Sequence, residues 1–162
     1  MDVAKPIRHV RPAHVTLSLE AETKADAIRE LCGLLAASGT LPPATAASLG
    51  DEVLAREAEG TTGIGAGVAV PHAKTALVSE MIVAVGVSRA GLDFASVDGD
   101  PVSVVFLIAA PPDRAAEYLA FMRWIVSLKK SKYWVKLVKG CPTPEALVEV
   151  LEESSPPAGS VR

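Results

Sequence analysis

Two short apolar runs decide most of what this chain can become. Met81 to Val87 and Val102 to Ile108 are rich in valine and isoleucine and read as strands buried in a sheet. Buried strands need cover, and the flanking sequence is written as helices. Thr23 is placed to cap a first helix, with Asp26 three residues on and Ile28, Leu31, Leu34 and Leu35 at helical spacing before Gly39 ends it. Pro42-Pro43 opens a second helix that carries Leu49, Val53 and Leu54 towards Arg56 and Glu57. After the strands, Pro111-Pro112-Asp113 is a break, with Asp113 as the expected N-cap of a helix bearing Leu119, Met122, Ile125, Val126 and Leu128. A short helix over Trp134–Val138 and a last one from Thr143 to Leu151 follow. Helices first, strands in the middle and helices last predict an α/β fold in three layers, α/β/α, with the sheet central.

The 162 residues suffice for one domain. Residues 1–14 read as an N-terminal arm leading into a short strand at Val15–Leu19, residues 15–153 as the domain, and the Ser/Pro/Gly-rich stretch 154–162 as a flexible tail. Sixteen Lys and Arg against nineteen Asp and Glu leave a net charge of -3, which argues against a nucleic-acid partner. Aromatic residues at 4% would also supply few stacking platforms for bases. Cys32 and Cys141 lie too far apart to suggest a disulfide framework or a zinc pair, which points to a reducing, cytoplasmic setting. No apolar run approaches the ~18 residues of a membrane span, so direct membrane insertion is not expected.

The chemistry concentrates between the second helix and the first buried strand. Gly60-Thr61-Thr62-Gly63-Ile64-Gly65-Ala66-Gly67 reads as a glycine-rich loop able to approach a ligand closely. Val68-Ala69-Val70 is a short strand ended by Pro71, and His72 follows at once. An imidazole is a good nucleophile near neutral pH, glycine-rich amides can cradle an anion, and the Arg56 guanidinium can stabilise charge on a phosphoryl oxygen. Nucleophile, amide donors and cation are the parts of phosphoryl transfer. By residue type alone, a histidine after a strand is more often structural than catalytic.

Arg56-Glu57, Thr62-Gly63-Ile64-Gly65, Gly67-Val68-Ala69-Val70-Pro71-His72 and Lys74 closely resemble the signature of enzyme IIA domains of the phosphoenolpyruvate-dependent phosphotransferase system, in its fructose/mannitol/nitrogen-regulatory class. The likeness runs from about His14 to Glu153 and includes Leu41-Pro42-Pro43, Phe94 with Asp98, and the Pro111–Asp113 break. It implies a mixed β-sheet between helical layers and a phosphocarrier without cofactor or metal. It implies further that His72 accepts a phosphoryl group from a histidine-containing phosphocarrier protein (HPr or its nitrogen-branch relative). The group then passes to a sugar-permease domain, or the phosphorylation state signals to a regulated kinase or transporter. By the same resemblance Arg56 is the active-site arginine; Thr62, Gly63, Gly65 and Gly67 are read as holding the phosphate, and Lys74 as either reaching it or facing water. With no permease domain in 162 residues, the nitrogen-regulatory type is favoured over a dedicated sugar importer.

One departure matters. Where such domains carry a second histidine in a His-Leu pair, this chain reads Tyr118-Leu119. A phenol can donate a hydrogen bond but brings no imidazolium charge. Losing one preorganised donor can cost ~10²–10³ in rate. Two readings follow: a phosphocarrier with Tyr118 lining the site, or a docking module that regulates its partner with phosphorylation impaired.

Other features have plainer readings. The glycine run follows a helix and leads into a strand, the reverse of a dinucleotide fingerprint. Lys129, Lys130, Lys132, Lys136 and Lys139, with Tyr133 and Trp134 among them, read as a solvated helix face. Cys32 reads as a small core residue, and Glu57 and Glu59 as solvated. Three dispersed histidines offer no metal ligand set.

Overall fold

The computed structural model describes residues 5–131 and 133–155. Helices α1 (Lys24–Ala37) and α2 (Pro43–Glu59) come first, strands β2 (Gly63–Gly65), β3 (Val68–Ala69), β4 (His72–Lys74), β5 (Ile82–Leu92) and β6 (Val102–Ala110) occupy the middle, and α3 (Ala115–Leu128), α4 (Trp134–Lys139) and α5 (Pro144–Ser154) finish the chain. A two-residue β1 (Val15–Thr16) precedes them, shorter than the expected Val15–Leu19 because beyond Thr16 only the Leu19 amide returns to bond Val87. Both long strands exceed the apolar runs that announced them.

The sheet is mixed. β5 and β6 are antiparallel, β1 runs parallel to β5, and β3 and β4 both run parallel to β6 along its other edge. β2 completes the order β1-β5-β6-β3-β2 by pairing antiparallel with β3. Alternation along the two central strands sends side chains to two separate cores. Val83, Val85, Val104, Phe106 and Ile108 face α3, α4 and α5, where Phe121, Ile125 and Trp134 meet them. Ala84, Val105, Leu107 and Ala109 face α1 and α2, against Ile28, Leu31, Leu35, Leu49 and Val53. The three-layer α/β/α architecture expected from the order of elements is the one observed.

Local chemistry sets the element ends. The Thr23 hydroxyl accepts from the Asp26 amide and the Thr143 hydroxyl from the Ala146 amide, each satisfying a donor at a helix start. Asp113 does not cap α3: Pro112–Arg114 form a 3-10 turn and the helix begins at Ala115, one residue later than that cap would start it. The N-terminal segment is no detached arm from residue 5 on. It forms two 3-10 turns, Pro6–His9 and Pro12–His14, and buries Val10 and His14 against the body. At the other end α5 includes Ser154, and the Ser155 hydroxyl accepts from the Trp124 indole at 2.7 Å, so two residues of the expected tail belong to the fold and 156–162 lie outside the described residues.

Leu107 is fully buried in the α1/α2 core. Leu107→Ala should cost about 2–5 kcal/mol of stability, read as a drop in the urea midpoint at unchanged slope; a shift below ~1 kcal/mol would mean that this core closes over the gap.

Candidate functional site

Pro71 divides what would otherwise be one edge strand into β3 and β4. Its carbonyl accepts from the Ile108 amide at 3.0 Å, and the Thr75 amide donates to Ala110 at 2.9 Å, so the odd-numbered backbone groups of this segment point at β6. The N–H groups of His72 and Lys74 therefore turn away from β6, at the sheet's edge. Side chains alternate as well. Ala69 and Ala73 belong to the α1/α2 core and Val68 and Val70 to the opposite one, so His72 stands on the face covered by α3.

The His72 ring is half-buried, 5.4 Å from the Tyr118 ring of α3 between centroids, at an interplanar angle of 46°. Its Nδ1 lies 2.9 Å from the Val70 carbonyl oxygen. A carbonyl can only accept, so Nδ1 carries the hydrogen and Nε2 keeps its lone pair. Burial lowers the His72 pKa; the bond to Val70 opposes this, and the Arg56 and Lys74 cations add to the lowering. The ring is therefore neutral near pH 7. Tyr118 keeps its proton too, because burial raises its pKa against the pull of Arg56.

Arg56 lies in the last turn of α2, where its Nη1 donates to the Gly60 carbonyl at 3.0 Å, and its charge is felt at both His72 and Tyr118. Lys74 is exposed, with Nζ 5.8 Å from the centroid of the Tyr118 ring. His72, Arg56, Lys74 and Tyr118 are thus brought together from α2, β4 and α3.

The glycine-rich segment behaves differently from the loop expected. It is an antiparallel hairpin, β2 to β3, turning through Gly65, Ala66 and Gly67 with φ of +93°, +56° and +81°. Those angles require glycine at its two ends. The Ala66 amide is taken by the Asp98 carboxylate at 3.0 Å and the Gly63 amide by the Thr61 hydroxyl at 3.0 Å. Val68 pairs with Val104 whereas His72 pairs with Ile108, which puts Gly65 and Gly67 roughly 13 Å or more along the sheet from His72. The structure does not bring these two glycines to the histidine.

Thr62 is close, since its carbonyl accepts from the Val70 amide, but its own donors are occupied. Its amide and hydroxyl donate to the two carboxylate oxygens of Glu57 at 2.8 and 2.5 Å. Lys24 of α1 adds a third bond at 3.1 Å. Glu57, expected to be solvated, is buried, because the chain reverses after Gly60 and lays Thr62 over the last turn of α2. The signal was present in the spacing: a carboxylate at the end of a helix, a glycine, then a threonine five residues on. Glu59 is exposed as expected. Of the lysine cluster, Lys129 donates to the Ile64 carbonyl at 2.6 Å and Trp134 is buried, so this stretch is not simply a solvated face; Lys132 lies outside the described residues. Cys32 is a core residue, its thiol pushed up to about 11 by burial. Among the described residues no three His, Cys, Asp or Glu side chains gather to hold a metal ion, and no helix is long and apolar enough to cross a membrane.

Comparison with known proteins gives the family and the fold. Residues 8–154 match the family model described as "Phosphoenolpyruvate-dependent sugar phosphotransferase system, EIIA 2". The chain is 31% identical over 139 residues to a PTS system fructose-specific EIIABC component of Bacillus subtilis, covering 86% of this chain but only 22% of that longer protein. It is 30% identical over 149 residues to a nitrogen regulatory protein of Bradyrhizobium diazoefficiens, covering 92% and 94% of the two chains. The crystal structure of nitrogen regulatory protein IIA-Ntr from Neisseria meningitidis superposes with a TM-score of 0.80 at 26% identity, over 90% of this chain and 97% of that one.

Two predictions follow from the geometry. Glu57→Ala leaves the buried Thr62 donors and Lys24 without their acceptor, and should cost about 3 kcal/mol or more in chemical denaturation, with Glu57→Gln recovering part of it. His9, His14 and His72 are all held below the usual histidine value, each chiefly by burial. The unfolded chain then takes up more protons than the folded one as acid is added. Stability should be level above pH ~7 and fall as the pH drops through ~6.5, read from urea midpoints between pH 7.5 and 5.5; a midpoint that rises over this window contradicts the assignment.

Proposed function

Because the chain belongs to the EIIA 2 family of the phosphoenolpyruvate-dependent sugar phosphotransferase system, and is a phosphocarrier of that kind, we propose that His72 Nε2 is the atom that carries the phosphoryl group. The observation that supports this most directly is the 2.9 Å contact of Nδ1 with the Val70 carbonyl, which leaves Nε2 as the lone pair. In loading, the Nε2–P bond forms as the bond between phosphorus and the donor imidazole breaks, and the donor nitrogen keeps the electron pair. Arg56 and Lys74 offset the charge on the phosphoryl oxygens, and the outward N–H groups of His72 and Lys74 are free to donate to them. Tyr118 lines the site from α3 as a neutral hydrogen-bond donor. Thr62 and Gly63 support the strand that bears His72, their amides being held by Glu57 and Thr61.

The donor on this reading is an HPr-like histidine phosphocarrier. The acceptor is a permease-associated domain, or the signal goes to a regulated kinase or transporter. Similarity to a nitrogen regulatory protein supports the regulatory branch, and similarity to a fructose-specific EIIA component supports the sugar branch. On this reading the setting is cytoplasmic.

Incubation with phosphoenolpyruvate, enzyme I and an HPr-like carrier should add a single acid-labile phosphoryl group by intact-mass spectrometry, and His72→Ala should abolish it. Phosphorus–nitrogen correlation should place it on Nε2; a signal from Nδ1 would overturn the assignment. Tyr118→Phe should slow loading by up to ~10²-fold if the phenol donates in the transition state. No gain of mass with cognate carriers would leave the docking module, in which Tyr118 has replaced the second histidine at the cost of transfer.

A further inference from the structure

A second cationic site sits beside the first and is not used by it. It is a cleft of about 360 Å3 between the N-terminal turns, the start of β5 and the start of α3. That volume falls in the range of small-molecule sites and is roughly a dozen waters' worth. Val83 on its wall pairs with Ile108, and Ile108 pairs with His72, so the cleft lies across β6 from the histidine, about 10 Å over the sheet.

Arg8, Arg11 and Arg114 line the cleft, together with His9 and His14. Three of them already meet one oxyanion. The Glu117 carboxylate takes Arg114 at 3.0 Å, Arg8 at 3.4 Å and His9 at 3.5 Å. Each guanidinium has five N–H donors, and these contacts use one apiece. Among the described residues Arg11 has no salt bridge, and Glu80 is the other acid on the wall.

His14 lies on the same wall, its Nε2 2.6 Å from the Thr40 hydroxyl and its ring beside the Val83 backbone, in a residue only 4% exposed.

We propose that this cleft binds a phosphomonoester dianion of a small organic molecule, its phosphate held by Arg8 and Arg11 from the N-terminal turns and by Arg114 from α3. Guanidinium forks match phosphate oxygens two at a time, and three forks from two segments suit a three-oxygen head better than a planar carboxylate. The remaining volume takes the organic part. Occupancy draws Arg8 and Arg114 off Glu117, the residue next to Tyr118, so the ligand is read on the helix that faces His72.

The test is calorimetric titration of the full chain at fixed ionic strength, with glycerol 3-phosphate as the probe and succinate as the dicarboxylate control. Glycerol 3-phosphate should bind, succinate at least tenfold more weakly. Arg8→Gln and Arg114→Gln should each weaken glycerol 3-phosphate about tenfold or more. Arg11→Gln, at an exposed and unpaired side chain, should do so without disturbing the fold, as checked by circular dichroism. His72→Ala should bind like the parent chain, which separates this site from the phosphoryl site. Absence of binding at millimolar probe overturns the proposal. So does equal or tighter binding of succinate, or loss of binding in His72→Ala with the arginine variants unaffected.

Discussion

The strand that carries His72 and Lys74 reaches its place through hydrogen bonds to β6. β5 occupies one edge of β6 over its whole length, and β3 and β4 share the other edge, one after the other. The side chains of β6 fill both cores, so it can neither slide nor rotate without exposing valine, phenylalanine and leucine together. A one-residue slip would exchange the two faces of its neighbours. The same register that keeps Val68 and Val70 in one core sets His72 on the α3 side, and it does so before any interaction of His72 itself is considered. The placement of His72 is a by-product of sheet register.

What β6 does for the strands, Glu57 does for the helix that meets them. Its buried carboxylate ties the end of α2 to the start of the hairpin and, through Lys24, to α1. Arg56 is the next residue back, so the guanidinium is delivered to His72 by a bond made one position away. Three partners on one buried carboxylate meet the condition under which such a charge is tolerated at all.

The layers of the fold were legible because they rest on local chemistry: valine-rich runs, a threonine cap, proline at helix starts. That His72, Arg56 and Lys74 come together was legible because they lie within one short stretch. The errors share a cause. Gly63, Gly65 and Gly67 signal backbone freedom, but freedom to turn a hairpin and freedom to cradle an anion look the same in one dimension. Only the pairing of Val68 with Val104 decides between them. Glu57 misread as solvated is the same problem, since its partners Lys24 and Thr62 are fixed by how α1, α2 and the hairpin pack. His14, read as part of an arm, became a buried residue once the two 3-10 turns folded back on the sheet.

Tyr118 changes the charge arithmetic of the site on the proposed reading. A phosphoryl group on a side chain brings roughly -1.5 to -2 charges near neutral pH. Arg56 and Lys74 bring two positive ones, and both already lower the proton affinity of His72. An imidazolium in place of Tyr118 would add a third cation. It would lower that affinity further and hold the loaded group more tightly. A carrier gains nothing from tight holding, because stabilisation that acts on the resting phosphohistidine as much as on the transition state speeds loading only to slow unloading. The phenol, kept neutral by burial, contributes a donor without a charge. Loading and release are then balanced by two cations against one phosphoryl group, and the Nδ1 bond to Val70 keeps Nε2 as the nitrogen presented in both directions.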